Sequence, residues 1–228
     1  LGVDITTWFC TLHYREPGYL DRPADGARDL DQDHVSAIIQ HVTRDLGGQI
    51  IRLGHPGMAA LDRQDGVIDL SVVDELMLQA YAVARARYHL QITDSGPMAL
   101  AQGLGTPLAL GNAVSQGVVF AEEGLVLCQH IVNAQGHKIP PKLARRKGLL
   151  DKKIVEHVLG PHGFRLQRNS LAELTALVDG IHAQTADCPG WTTTTPPVIE
   201  TFLEAMVWPP PEIDKGHYVD YPELFPAT

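Results

Sequence analysis

The sequence predicts an α/β protein in which helices flank a parallel sheet. Short apolar runs of strand length alternate with longer stretches whose apolar residues recur every three or four positions. Glycine pairs, Ser and Asp caps, and prolines stand at the junctions between the two kinds of segment. Strands separated by helices pair in parallel, because each right-handed crossover covers a face of the sheet.

In chain order, Trp8–His13 is a compact run with aromatic content and reads as the first strand. A loop rich in Asp, Arg, Pro and Gly follows to about residue 30. Val35, Ile38, Ile39, Val42 and Leu46 then repeat at helical spacing before the stop at Gly47-Gly48. Gln49–Leu53 and Val67–Leu70 read as the next two strands. Ser71 stands three residues before Asp74 in a capping-box arrangement. It predicts a helix to about Arg87 with Val73, Leu76, Met77, Ala80, Val83 and Ala84 on its buried face.

His89–Thr93 is the fourth strand, Asp94-Ser95-Gly96-Pro97 opens a helix that ends at Gly105, and Pro107–Leu110 is a fifth strand. Between Asn112 and Leu150 the pattern blurs, with Leu125–Val132 readable as a strand and Lys138–Lys147 as a basic stretch interrupted by Pro140-Pro141. Asp151–Leu159 reads as a helix and Phe164–Leu166 as a short strand. Ser170 with Glu173 caps a helix carrying Leu171, Leu174, Leu177, Val178 and Ile181. The α/β unit thus occupies residues 1–187. Residues 188–228 form a second region, one helix near Val198–Val207 within a proline-rich acidic tail.

Composition narrows the function. With 228 residues, 44% of them apolar, the chain can bury a sizeable core. Lys and Arg total 18 against 27 Asp and Glu, a net charge of -9 that argues against a nucleic-acid partner. The basic stretch Lys138, Lys142, Arg145, Arg146, Lys147, Lys152 and Lys153 lacks interleaved aromatics and reads as a solvated face or a patch for an acidic partner. Cys10, Cys128 and Cys188 show no CxxC spacing, which fits a reducing, cytoplasmic setting. No apolar run approaches the roughly 20 residues of a membrane span, and the start lacks a secretory pattern. The first residue is Leu1, as in a processed product or a fragment. The 11 histidines show no HExxH or paired ligand spacing, so no metal site is indicated. GxSxG, GxxxxGK[ST] and GxGxxG patterns are absent, which takes weight from hydrolase, P-loop and dehydrogenase readings.

In an open parallel sheet, ligands gather beyond the carboxyl ends of the strands, where three loops stand out. His13-Tyr14-Arg15-Glu16 offers a guanidinium to fork onto a phosphate, and His13 or Glu16 to move a proton. The same residues also suit a loop salt bridge with a core-facing His13. Arg52, a cation in an apolar strand end, needs a partner, either a ligand phosphate or a structural carboxylate such as Asp69. Thr93-Asp94-Ser95-Gly96 precedes a helix whose first amides could meet a diphosphate, with Gly96 permitting close approach. An ordinary cap by Asp94 or Ser95 is the alternative.

The stretch His89–Leu110, with its Thr-Asp-Ser-Gly-Pro turn and Gly-Leu-Gly-Thr-Pro-Leu-Ala-Leu ending, resembles the second nucleotide-binding domain of GT-B glycosyltransferases. It is similar to the equivalent segment of non-hydrolysing UDP-N-acetylglucosamine 2-epimerases and heptosyltransferases. Leu-His-Tyr-Arg-Glu-Pro-Gly-Tyr, with Ile-Arg-Leu-Gly downstream, resembles a bacterial glycosyltransferase family distantly similar to fucosyltransferases with a His-x-Arg motif. The resemblance spans roughly residues 8–111. It implies a Rossmann-like parallel sheet, half of a GT-B architecture, whose other half is missing, reduced or supplied by another chain. It also implies that Arg15 contacts the donor diphosphate and that Asp94, Ser95 and Gly96 line the phosphate and sugar.

The expected activity is transfer of sugar from a nucleoside-diphosphate sugar to an unknown acceptor, with no cofactor beyond that donor. Arg15, Arg52 and the turn at Thr93–Gly96 would stabilise the leaving group, and Glu16 is the first candidate for acceptor base. The alternatives are a nucleotide-sugar epimerase or hydrolase, or a non-catalytic binding or scaffold module.

Overall fold

The strands carry apolar residues on both faces, and the computed structural model shows why: helices cover each face of the sheet. The structure describes residues 3–4, 6–16, 32–114, 124–140, 143–144, 147–149 and 151–187. Its main elements are β1 (Phe9–His13), α1 (Gln32–Gln40), β2 (Gln49–Arg52), β3 (Val67–Asp69), α2 (Leu76–Arg85), β4 (His89–Gln91), α3 (Pro97–Gly103) and β5 (Leu108–Ala113). There follow β6 (Gly124–Cys128), β7 (His130–Val132), α4 (Lys152–Ile154), β8 (Arg165–Gln167) and α5 (Leu171–Gln184). The first six strands form one parallel sheet in the order β3-β2-β1-β4-β5-β6. The α/β class expected from the alternation and the Rossmann-like sheet implied by the resemblance are therefore present.

Alternation along each strand divides the core in two. Cys10, Leu12, Ile50, Leu90 and Ile92 pack beneath α1 and α5, whereas Phe9, Ile51 and Leu53 pack with Ala82, Val83 and Ala101 of α2 and α3. The helix α1 continues through a wider turn, His41–Asp45, and the chain then reverses through Gly47 at φ +67. Contact between α5 and β5 depends on Gly111, where a Cβ would meet the Leu174 methyl at 2.6 Å.

Several elements differ from the sequence reading. The Ser71–Asp74 capping box does not form. Ser71 is buried, its amide donates to Asp69, and α2 starts at Leu76 with the Glu75 carboxylate accepting from the Met77 amide. The face of α2 that packs inward carries Gln79, Ala82 and Val83, while Leu76 and Met77 are exposed. The run Leu125–Val132 is two strands. Gln129, whose amide donates to the Ala113 carbonyl, separates β6 in the large sheet from β7, which pairs antiparallel with β8. Only Lys152–Ile154 of the predicted 151–159 helix is α-helical; a wide turn over Val155–Leu159 and a 3-10 turn over Gly160–His162 follow it. The predicted tail, 188–228, lies outside the described residues. Among the described residues, no helix is long and apolar enough to cross a membrane.

Candidate functional site

Strand order reverses between β1 and β4, so their carboxyl ends flank the crevice where open α/β sheets receive ligands. The register pairs Thr11 with His89 and His13 with Gln91, which puts four polar side chains on the sheet face covered by α2 and α3. They form a connected ladder leading to that crevice.

Its hydrogen-bond directions follow from one carbonyl. The Gln91 Nε2 atom lies 2.6 Å from the Thr93 carbonyl oxygen, so the amide nitrogen must face this way and donate. Gln91 Oε1 then accepts from His89 Nε2 at 2.9 Å, and His89 Nδ1 accepts from the Thr11 hydroxyl at 2.9 Å. At the other end the Gln91 amide reaches Ser95 Oγ at 2.9 Å, and Ser95 Oγ donates to His13 Nδ1 at 2.9 Å. His13 Nδ1 is thereby an acceptor, which leaves the ring proton on Nε2. Burial pushes His89 down to about 4. His13 touches solvent at its rim, but burial, with His89, Arg52 and His55 nearby, pushes it down to about 3. Both rings are neutral at physiological pH. His13 serves better as a fixed N–H donor than as an acid–base catalyst.

The loop after β4 is fastened by its side chains. Asp94, 6% exposed, accepts from the Val114 amide at 2.8 Å. Ser95 turns to His13, so neither residue caps α3, whose N-cap is Gly96 without a side-chain bond. Space is open where a Gly96 Cβ would lie, and the buried Thr93 hydroxyl has no partner among the described residues.

The loop after β1 separates its two charges. Arg15 is partly buried, forms no ion pair among the described residues, and its Nε has no hydrogen-bond partner there. Glu16 is committed: Oε1 accepts from Arg52 Nη2 at 2.6 Å and Oε2 from the Ala59 amide at 2.8 Å. Arg52 is fully buried and also donates to Asp69 at 2.9 Å, to the Ala59 carbonyl at 2.7 Å and to Ser71 at 3.3 Å. Its guanidinium lies 4.9 Å from the Tyr14 ring centroid, and burial pushes the Tyr14 phenol up to about 12. Burial acts to raise Asp69, but the Ser71 hydroxyl, the Leu61 and Ser71 amides and Arg52 together hold it below the usual carboxylate range. Arg52 thus takes the structural partner, Asp69, that the sequence offered, rather than a position open to substrate.

The site draws together His13, Thr93, Asp94, Ser95 and Gly96, with Arg15 on the adjoining loop. Glu16 and Arg52 stand behind it. The sequence reading missed Thr11, His89 and Gln91, although His89, Gln91, Thr93 and Ser95 recur at every second position beside apolar Leu90 and Ile92. It also missed Asn112. This residue adopts a left-handed φ of 49, and it exchanges two backbone-to-side-chain bonds with Asn169. Among the described residues no three His, Cys, Asp or Glu side chains gather as a metal centre would require.

No protein-family model and no curated protein matches the sequence. Among solved structures, the chain is similar to the glycosyl transferase family 9 protein from Veillonella parvula DSM 2008, with 14% identity and a TM-score of 0.53. The match covers 80% of this chain and 48% of that one, so this chain spans about half the length of its solved neighbour. At this identity the likeness is one of fold.

Proposed function

We propose that this chain binds a nucleoside-diphosphate sugar in the crevice between β1 and β4 and acts as a glycosyltransferase, or as the donor-binding domain of one. One observation carries the reading: where strand order reverses, Arg15, which forms no ion pair among the described residues, stands two residues after a histidine held as an N–H donor by Ser95 and Gln91. Both groups suit anionic phosphate oxygens. In transfer, the bond from the sugar's anomeric carbon to the diphosphate breaks as a bond to the acceptor oxygen forms. The diphosphate leaves with the electron pair. Arg15 and His13 Nε2–H would stabilise that charge in a partly desolvated site, with Thr93, Asp94, Ser95 and Gly96 lining phosphate and sugar.

Glu16 and Arg52 have a different task in this scheme. With both Glu16 oxygens engaged, the pair braces the loop that presents Arg15, and the base that takes the acceptor's proton belongs elsewhere. The free thiols Cys10 and Cys128 fit a reducing cytoplasm.

Calorimetric titration with UDP, GDP, ADP and dTDP tests the proposal, using the native chain and folded Arg15→Ala and Ser95→Ala variants. Saturable binding of one nucleotide, lost in both variants, is the expected outcome. Absence of binding by every nucleotide at millimolar concentration, or binding untouched by either substitution, would overturn it.

A further inference from the structure

The carboxyl end of β5 departs from regular strand geometry beside the candidate site. Leu110 pairs with Val126 but Ala113 with Cys128, so β5 carries an extra residue here, as in a bulge. Asn112 takes it up at φ 49, a left-handed conformation that asparagine tolerates better than most residues with a Cβ. Bulges redirect the chain that follows them. Two residues on, the Val114 amide meets the Asp94 carboxylate at 2.8 Å.

The Asn112 side chain is buried, and backbone partners fix its orientation. The Asn169 amide can only donate, so the atom 2.7 Å from it is Oδ1, and Nδ2 points the other way, to the Ile92 carbonyl at 3.3 Å. The Asn112 amide donates to Asn169 Oδ1 at 2.8 Å, and Asn169 Nδ2 donates to the Cys128 carbonyl at 2.9 Å. The Asn112 carbonyl accepts from Gln129 Nε2 at 3.2 Å. Asn112 therefore ties the ends of β4 and β6 to Asn169, the residue before the cap of α5. Ile92 and Asp94 flank Thr93, so the turn Thr93–Gly96 is held at its root twice, by the Asn112 side chain at Ile92 and by the redirected backbone at Asp94. Glycine would adopt the same φ at less cost, but it has no side chain to reach Ile92.

We propose that Asn112 is a positioning residue for the turn Thr93–Gly96, setting where that turn presents Ser95, and through Ser95 the His13 ring, to an anionic ligand. The identity of the ligand rests on the nucleotide-sugar reading, whereas the hold on the turn does not.

Nuclear magnetic resonance of the free full chain tests this, with two variants. Asn112→Asp keeps an acceptor for the Asn169 amide but sets an oxygen against the Ile92 carbonyl. Asn112→Gly keeps the φ and removes the side chain. In both, hydrogen exchange at the Val114 amide should speed up about tenfold, the order that one hydrogen bond supplies. Exchange at the Leu53 amide, bonded to the Leu12 carbonyl in the neighbouring strand, should stay native. The His13 Nδ1 resonance should move in the direction that Ser95→Ala moves it. Affinity for whichever of UDP, GDP, ADP and dTDP the native chain binds should fall by about the same factor. Native-like Val114 exchange and His13 resonance in the variants would overturn the inference, even if nucleotide affinity fell. Equal acceleration at Leu53 would make Asn112 a general stabiliser and overturn it too. Rapid Val114 exchange in the native chain would overturn it without any variant. If the native chain binds no nucleotide while Val114 and His13 respond as expected, the nucleotide-sugar reading fails and the positioning role stands.

Discussion

Removing the Arg52 guanidinium would leave Glu16 and Asp69 as neighbouring carboxylates with no cation between them, in a site only 13% and 16% exposed. Breaking a buried pair from one side costs about 3–5 kcal/mol, so Arg52→Ala should lower unfolding stability by that order in a urea titration. Arg52→Lys should recover only part of it, because one ammonium cannot reproduce a fork that reaches Glu16, Asp69, Ser71 and Ala59 together. His89 gives a prediction with a definite sign. Its folded-state pKa is pushed from 6.5 down to about 4 by burial, so below pH 6.5 the unfolded chain binds a proton that the native chain refuses. Stability should therefore hold above pH 6.5 and decline toward pH 4, with a slope of up to about 1.4 kcal/mol per pH unit from this site. Urea midpoints measured from pH 7 to pH 4.5 should fall less steeply for His89→Gln than for the native chain. An equal slope in the two proteins would show that His89 is not excluded from protonation as the ladder requires.

At the scale of elements, strands were more legible than helix faces. β2, β5 and β6 centre on the compact apolar runs Ile50-Ile51, Leu108-Ala109-Leu110 and Leu125-Val126-Leu127, and burial on both faces is what such runs encode. The start of α2 was obscured because Ser71 satisfies Asp69 and Arg52 instead of a helix amide, a pairing that depends on β2 and β3 lying side by side. Its orientation was obscured for a related reason: apolar spacing identifies a stripe to be covered but does not say by what. The break at Gln129 reflects a backbone bond to Ala113, a partner in another strand. At the site, the residues directly after strands were visible because topology puts ligands there. Thr11, His89 and Gln91 lie within strands, and only the β1–β4 register makes them one chain.

The described residues present a sheet of six parallel strands with helices on both faces, and the chain matches about half of a glycosyl transferase family 9 structure. If that half is a donor-binding unit, binding and transfer separate experimentally. Nucleotide binding should be measurable on the 228-residue chain, whereas sugar transfer, followed by nucleotide release, should require whatever supplies the acceptor surface. Robust transfer by this chain alone would show that it carries both sites. The ladder from Thr11 to His13 has a further consequence. Every hydrogen bond in it points the same way, ending in a proton at His13 Nε2, and the orientation is locked by the Thr93 carbonyl at its centre. A ligand that offers oxygen lone pairs meets this sequence as it stands. An ammonium, which has no lone pair to offer, would need the sequence reversed, Gln91 included, against that carbonyl. Under the proposed function, the ladder would therefore favour an acceptor such as a phosphate oxygen over a cationic group at His13.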